Sequence, residues 1–396
     1  MKKIVVLLLS FVMIFSLAAC SKNNGQSAVG SGNKDDGEMV WTVKSVKYTY
    51  SSGYSYICYT GELKDSSFSM NKFRELRQGE TDRSSMIFEF DSNGITKYRE
   101  EAQDYGEEVE IGDETTLVYD DATSTLTRTS VKDGKVTSKY VYVITWDDQE
   151  RISAYVRTNY YYYYNDDGSV SEENKYEYKY TYKYGTDSFT ITYDLDETVS
   201  IGNDRVDAIK RTVSTIPYAE KGDIETVISY FKTDGTTPIN VGWNDPKSVN
   251  ETMVSNWWGY IKSHVTNYDD GSKEDYIEGK YTFDAEGKII KVAKEGTKGG
   301  IILDGAESEK IKITTDFTYD ENGNLKKIVY DYDGTVTVLE FEWMKIPATL
   351  DNSLAMLSGS PHWSVAEYID NYVDFNSNGS LTDRTYKKSD FLSYVK

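Results

Sequence analysis

Residues 318–330 read Thr-Tyr-Asp-Glu-Asn-Gly-Asn-Leu-Lys-Lys-Ile-Val-Tyr, and this stretch decides the fold. Tyr319 leads into Asn322-Gly323, and Leu325, Ile328 and Tyr330 resume an apolar pattern beyond it. An Asn-Gly pair supplies the positive φ angles that a tight hairpin needs, so two strands are expected to meet here. Past residue 38 there are nine Asn-Gly or Asp-Gly pairs, starting at Asn93, Asp133, Asp167, Asp234, Asp270, Asp304, Asn322, Asp333 and Asn378. Most lie between alternating segments, as Ile87-Phe88-Glu89-Phe90 does before Asn93.

The composition agrees. The chain has 35 Tyr and only 5 Pro. The prolines (Pro217, Pro238, Pro246, Pro347 and Pro361) all lie past residue 216, so nothing in the first half interrupts a sheet ladder. Tyr, Thr, Val, Ile and Phe suit a pleated surface. The expected fold is all-β: a long antiparallel meander of hairpins forming a curved or rolled sheet, with at most one or two short helices. A softer join is expected near residues 215–245, where proline first appears.

Around the turns a looser repeat recurs: an aromatic, Asp or Asn, polar residues, Gly, then an apolar residue. It reads FDSNGI from Phe90, YNDDGSV from Tyr164, FDAEGKI from Phe283, YDENGNL from Tyr319 and FNSNGSL from Phe375. These hairpins resemble the YD repeats of RHS-type surface proteins and large families of Tyr-rich bacterial lipoproteins. The resemblance implies the hairpin fold rather than an activity. The Arg that usually follows the Gly of a YD repeat is absent from these five copies.

Three stretches break the pattern. Asp245-Pro246 followed by Val249, Met253, Val254, Trp257 and Trp258 has helical spacing, with Pro suited to a first turn. Ser364-Val-Ala-Glu367 matches a capping box, with Trp363 and Tyr368 placed as a staple. Both follow a Pro and run into an aromatic-rich hairpin, from Lys280 and from Tyr372. That parallel points to two copies of one strand-turn-strand module, so the second segment is expected as strand. In Thr335–Trp343 the apolar set shifts phase between Val338 and Leu339, which predicts a strand with a bulge.

The N-terminus carries an address. Lys2 and Lys3 precede an apolar run, Ile4 to Ala19, that closes on Leu17-Ala18-Ala19-Cys20. A basic start, a short apolar core and small residues before the cut read as a secretory signal over residues 1–19. Cys20 after Leu-Ala-Ala resembles the lipobox of bacterial lipoproteins. That resemblance implies diacylglycerol on the Cys20 thiol, cleavage before it, acylation of the new amine, and a lipid bilayer as partner. In a host with two membranes, Ser21 after Cys20 resembles lipoproteins sent to the outer one. Residues 20–38 have no aromatic and no period and are expected to be a flexible tether, with ends on the order of 25 Å apart. Residues 39–396 then form the β body.

Removing the leader takes Lys2 and Lys3 with it, so the formal charge falls from −21 to −23. Such a body repels phosphate backbones, and no nucleic-acid partner is expected. With Cys20 committed to lipid, Cys58 has no disulfide partner in the chain. Alternation places Tyr54, Tyr56 and Cys58 on one face, where a buried thiol is expected.

Catalytic letters are scarce. The two histidines, His264 and His362, do not make a three-His zinc site, and no CxxC, HExxH, GxSxG, Walker or GxGxxG motif occurs. His264 lies in an alternating strand and is expected to be structural or solvent-facing. Ser229-Tyr-Phe-Lys232 has SxxK letters but falls in an apparent strand, where the two side chains point to opposite faces. No cofactor is implied. Asp374, Asn376, Asn378 and Ser380 resemble the opening of a calcium loop, with Gly379 at the sixth position. Thr385 stands where the bidentate Glu belongs, and the same letters fit a plain hairpin turn.

Tyr160–Tyr164 is an unbroken run, and Tyr176, Tyr178, Tyr180, Tyr182 and Tyr184 follow at period two. In a strand those five share one face. They read either as cross-strand pairs that stabilise the sheet or as a rigid platform for a glycan or protein ligand. Two functions stand side by side. One is a non-enzymatic lipoprotein for binding, adhesion or envelope architecture; the other is a carbohydrate-active envelope enzyme with paired carboxylates.

Overall fold

The computed structural model describes residues 38–77, 80–92, 94–104, 106–219, 222–256, 260–275, 279–297 and 310–358, with Ser364, Val365 and Tyr368. The hairpin turns at Asp304 and Asn378, and Trp257, Trp258 and the stretch from Tyr372, lie outside the described residues. The strands are β1 (Met39–Thr49), β2 (Ser55–Lys64), β3 (Ser67–Arg77), β4 (Glu80–Asp91), β5 (Gly94–Gln103), β6 (Glu110–Asp120), β7 (Thr125–Lys132) and β8 (Lys135–Trp146). They continue with β9 (Ile152–Tyr164), β10 (Val170–Tyr184), β11 (Ser188–Ile201), β12 (Asp204–Pro217), β13 (Ile224–Lys232), β14 (Pro238–Ile239), β15 (Ser248–Ser255) and β16 (Ile261–Tyr268). The last are β17 (Lys273–Asp275), β18 (Gly279–Phe283), β19 (Ile289–Thr297), β20 (Lys310–Tyr319), β21 (Leu325–Tyr332) and β22 (Thr335–Pro347), followed by helix α1 (Ala348–Ser358).

All 22 strands belong to one sheet, and their ladders are antiparallel between sequence neighbours almost throughout. One long-range pairing sets the architecture: β1 pairs with both β2 and β22. The two ends of the meander therefore meet inside the sheet, and among the described residues β17 pairs only with β16 and β18 only with β19. Residues between β15 and β16 reach across to the far edge. Asn256 Nδ2 donates to Gly287 O at 2.8 Å. Buried Tyr260 packs among Ile289, Val292 and Phe317, its ring 6.1 Å from that of Phe283. The sheet is thus rolled until its ends adjoin, while no ladder joins β17 to β18 among the described residues.

Among the described residues one five-residue loop is used six times. In loops opening at Tyr50, Asp147, Asn165, Tyr268, Asp284 and Asp320, the first N–H donates to the fifth residue's carbonyl and the fourth N–H donates back to the first carbonyl. The fourth residue is left-handed in every copy: Gly53, Glu150, Gly168, Gly271, Gly287 and Gly323, with φ between 57° and 84°. Where Asp opens the loop its Oδ1 also accepts the third and fifth N–H groups, as Asp320 does from Asn322 and Asn324. Asp284 and Asp147 do the same. Of the Asn-Gly and Asp-Gly pairs, Asp133-Gly134 and Asp333-Gly334 make the two-residue hairpin with both φ angles positive.

An aromatic side chain on the next strand then caps the carbonyl just beyond each Asp loop. Tyr184 Oη donates to Ile152 O at 2.7 Å, Tyr319 Oη to Ile289 O at 2.7 Å and Trp343 Nε1 to Leu325 O at 2.8 Å. Ile152, Ile289 and Leu325 are all buried, so their carbonyls need such a donor. Cations following the left-handed residue sit on the same rings, Arg151 at 3.9 Å from the Tyr184 centroid and Lys288 at 5.4 Å from that of Tyr319.

Several expectations are corrected. Ser248–Ser255 is a strand, with Met253 inward and Val249 outward, so its helical spacing is coincidental. Ser364, Val365 and Tyr368 are helical, not strand. Val365 and Tyr368, three residues apart, both reach one core cluster, and Tyr368 meets Phe341 edge-on at 5.5 Å. The register irregularity beside Thr335–Trp343 lies on β1, at Lys44, and β22 alternates strictly there. Val336 and Val338 occupy its outer face. Cys58 is the extra residue of a β1–β2 bulge; it is half-buried, beside buried Tyr59, and its Sγ lies 3.4 Å from Val46 O. Helix α1 falls within the one or two short helices expected, at a place that no turn or cap signal marks, although Leu350, Leu354 and Leu357 have helical spacing. It closes one rim by packing on Phe68, Phe88 and Ile95.

If the aromatic caps hold the loops in register, Tyr319→Phe should cost about 1–2 kcal/mol by orphaning a buried carbonyl. Tyr332→Phe, on an exposed ring, should stay within about 0.5 kcal/mol. Urea unfolding midpoints compare the two; equal midpoints would remove the cap from the account.

Candidate ligand-binding face

Register places the polar side chains of the inner face in rows. One runs Leu117, Arg128, Tyr140, Asn159, Tyr176 across β6 to β10, and its neighbour runs Leu126, Tyr142, Arg157, Tyr178. The next is Ile144, Tyr155, Tyr180, Tyr193, Thr212. The five alternating tyrosines of β10 therefore share the inner face, but their environments differ. Tyr180 is 4 % exposed and stacks between Tyr155 and Tyr193, at 4.2 and 4.7 Å between centroids. Tyr178, Tyr182 and Tyr184 are half-buried against the same cluster. Tyr176 is 50 % exposed. The row grades from core to solvent within one strand.

Two cations lie among these rings. The Arg157 guanidinium, in a residue 5 % exposed, sits 4.2 Å from the Tyr178 centroid. Arg128 lies between Tyr98 and Tyr140, at 5.3 and 5.0 Å. Burial pushes the Tyr142 phenol up to about 12, partly offset by Arg157 and Arg128. Tyr161 is also raised to about 12, chiefly by burial and then by its bond to Tyr140, whose Oη lies 3.0 Å away.

Beside Arg128 two carboxylates approach each other. Desolvation raises the Glu100 carboxyl above its ordinary value, the charge of Asp113 adds to that, and Arg128 opposes it. Asp113 accepts a hydrogen bond from the Thr137 hydroxyl. None of Arg128, Arg157, Asn159, Glu100 and Asp113 stands out in the sequence. Their signal is parity: each shares a strand face with a tyrosine or lies opposite one.

Other candidates resolve simply. His264 lies in β16 with Nε2 3.2 Å from Glu251 Oε2. Ser229 and Lys232 are in β13, on opposite faces. Cys20, His362 and the Asp374, Asn376, Asn378, Ser380 loop lie outside the described residues. Among the described residues no group of three or more His, Cys, Asp or Glu is placed to hold a metal ion. Nor is any helix among them long and apolar enough to cross a membrane.

No family model matches the chain, and no curated protein matches it. Among solved structures it is similar to a porin-like protein from Bacteroides vulgatus ATCC 8482, 10% identical with a TM-score of 0.19, covering 76% of this chain and 97% of that one. It is also similar to the Photorhabdus luminescens Tc holotoxin pore, 11% identical with a TM-score of 0.18, covering 74% of this chain and 21% of that one. Likeness at this level carries no argument about function.

A carboxyl raised by desolvation is favourable while protonated, and that contribution is lost as pH climbs through its folded-state value. Glu100→Gln should therefore raise the melting midpoint at neutral pH and lose the advantage below the ordinary Glu range. Glu100 is exposed as a residue, so screening keeps the gain small. A gain that persists undiminished in acid would contradict this sign.

Proposed function

We propose that the chain is a membrane-anchored extracytoplasmic lipoprotein, held by acylated Cys20, and that its rolled sheet is a non-enzymatic binder of glycans. One observation carries the binding reading: the β10 tyrosine row is locked into the core at Tyr180 and emerges into solvent at Tyr176. Rings held rigid at one end and exposed at the other present an apolar, hydrogen-bonding surface at little conformational entropy. The anchor reading rests on Leu17-Ala18-Ala19-Cys20.

Two experiments test it. Mass spectrometry of the native protein should find an acylated N-terminal Cys20, and Cys20→Ser should move the protein out of the membrane fraction. An unlipidated chain with its leader attached would end the anchor reading. A glycan array with the Cys20→Ser protein should give binding that Tyr176→Ala weakens; a blank array would end the glycan reading.

The enzyme reading has a specific pair in its favour, Glu100 and Asp113, a raised acid beside a second carboxylate on the aromatic face. Hydrolysis of an array-positive glycan, lost in Glu100→Gln and in Asp113→Asn, would select it. Binding without hydrolysis selects the binder.

A further inference from the structure

We infer that one side of β10 is an open sheet edge that takes an added strand from a basic, extended polypeptide. β10 pairs with β9 from Val170 to Thr181, but its ladder to β11 runs only from Lys179 to Tyr184. Past Asp194 the only ladder of β11 is to β12. The two strands therefore part at the Lys179–Asp194 pair. Val170–Tyr178 becomes an edge in the middle of the meander, about 30 Å long. Every residue from Val170 to Glu177 except Asn174 is exposed, so solvent reaches this edge along its length.

The backbone there is set for pairing. Gly185 N–H donates to Ser188 O across the β10–β11 turn at 2.8 Å, and an antiparallel ladder alternates from that point. Glu173, Lys175 and Glu177 therefore turn their N–H and C=O groups into the gap, while the residues between them bond β9. At its far end β11 already receives backbone on the same side. Gly242 N–H donates to Ser200 O and Gly202 N–H to Gly242 O, each at 2.8 Å. Asp196 and Thr198 are left facing the gap.

Charge selects the partner. Glu172, Glu173, Glu177, Asp196 and Glu197 border the gap, and Lys175 is the one cation on the same two segments. Lys175 and Lys179 lie 3.9 and 3.3 Å from Glu177, and Lys210 lies 3.5 Å from Glu197. Glu172, Glu173 and Asp196 have no ion-pair partner among the described residues. A second copy offering the same edge would set carboxylates against carboxylates, which disfavours it. A strand with Lys or Arg at alternate positions meets Glu173 and Glu177 on the outer face. Its other side chains then lie beside Tyr176, which is 50 % exposed on the inner one.

The test titrates the full chain carrying Cys20→Ser, by calorimetry, with the peptide Lys-Val-Lys-Tyr-Lys-Thr-Lys-Val-Lys. Two controls are the same peptide with Glu for every Lys, and a form N-methylated at two adjacent central residues, which blocks main-chain bonds on both its edges. The basic peptide should bind and the controls should not. Lys175→Pro removes one outward N–H and spares the bonds to β9, so it should weaken binding tenfold or more although it also deletes a competing cation. Glu173→Lys with Glu177→Lys, both exposed, should weaken it as much, and this pair carries the test if the proline variant fails to fold. No binding of the basic peptide, equal binding of the methylated form, or affinity that both variants leave unchanged overturns the proposal. A dimer in sedimentation that Lys175→Pro dissolves puts a second copy on the edge and overturns the assigned partner. The inference goes beyond the glycan reading, and a blank glycan array leaves it standing.

Discussion

Three hairpins of this sheet depend on a backbone carbonyl that an aromatic side chain of the following strand serves. After each of the three Asp-opened loops the register shifts, and the residue just beyond, Ile152, Ile289 or Leu325, is buried and needs a donor for its carbonyl. A phenol or indole from the next strand fills that place. Because the donor lies one strand further on, each of these three hairpins is completed only when its neighbour is in register. A slip of one residue would turn the aromatic to the other face and orphan the carbonyl, so register is propagated along the meander. That gives an open, rolled sheet a substitute for the closure that fixes a barrel.

The same device explains what could be read from the sequence. Aromatic-Asp-x-x-Gly is legible because its letters have separate duties: the carboxylate gathers N–H groups, the Gly takes the left-handed angle, and the ring packs on the core, Tyr319 also capping the carbonyl beyond the preceding Asp loop. The copy at Trp146-Asp147-Asp148-Gln149-Glu150-Arg151 goes unnoticed since Glu150 takes that angle without being Gly. Its Asp147–Arg151 pairing, at 2.7 Å, and the Arg151 contact on Tyr184 hold the loop instead. A cation after the left-handed residue, absent from most written copies, is present there in space.

Where the reading failed, tertiary contacts overrode local pattern. The phase change near Thr335 has no bulge in its own strand because β1 carries the irregularity for the pair. Ser364 to Tyr368 copies the opening of another segment, yet Val365 and Tyr368 pack as a helical pair on Phe341. Pattern shows which residues seek cover; it does not show which element supplies it. The candidate site was hidden for a related reason. Arg157 and Asn159 are unremarkable in Val156-Arg-Thr-Asn159, and only the register that sets them opposite Tyr178 and Tyr176 gives them meaning.

The aromatic face need not be either scaffold or site. Tyr155, Tyr180 and Tyr193 stack at distances that belong to a core, and the stack is continuous with rings that become progressively more exposed toward Tyr176. Rigidity at the buried end lowers the entropy that a ligand would have to remove at the exposed end. The acidic exterior fits this division. Carrying most of the charge outside, the protein keeps two arginines inside among phenols, where a guanidinium stacks well and is weakly hydrated. An inner face that is aromatic and holds guanidinium groups among its rings differs in kind from the surface around it, and that difference is what a selective site requires.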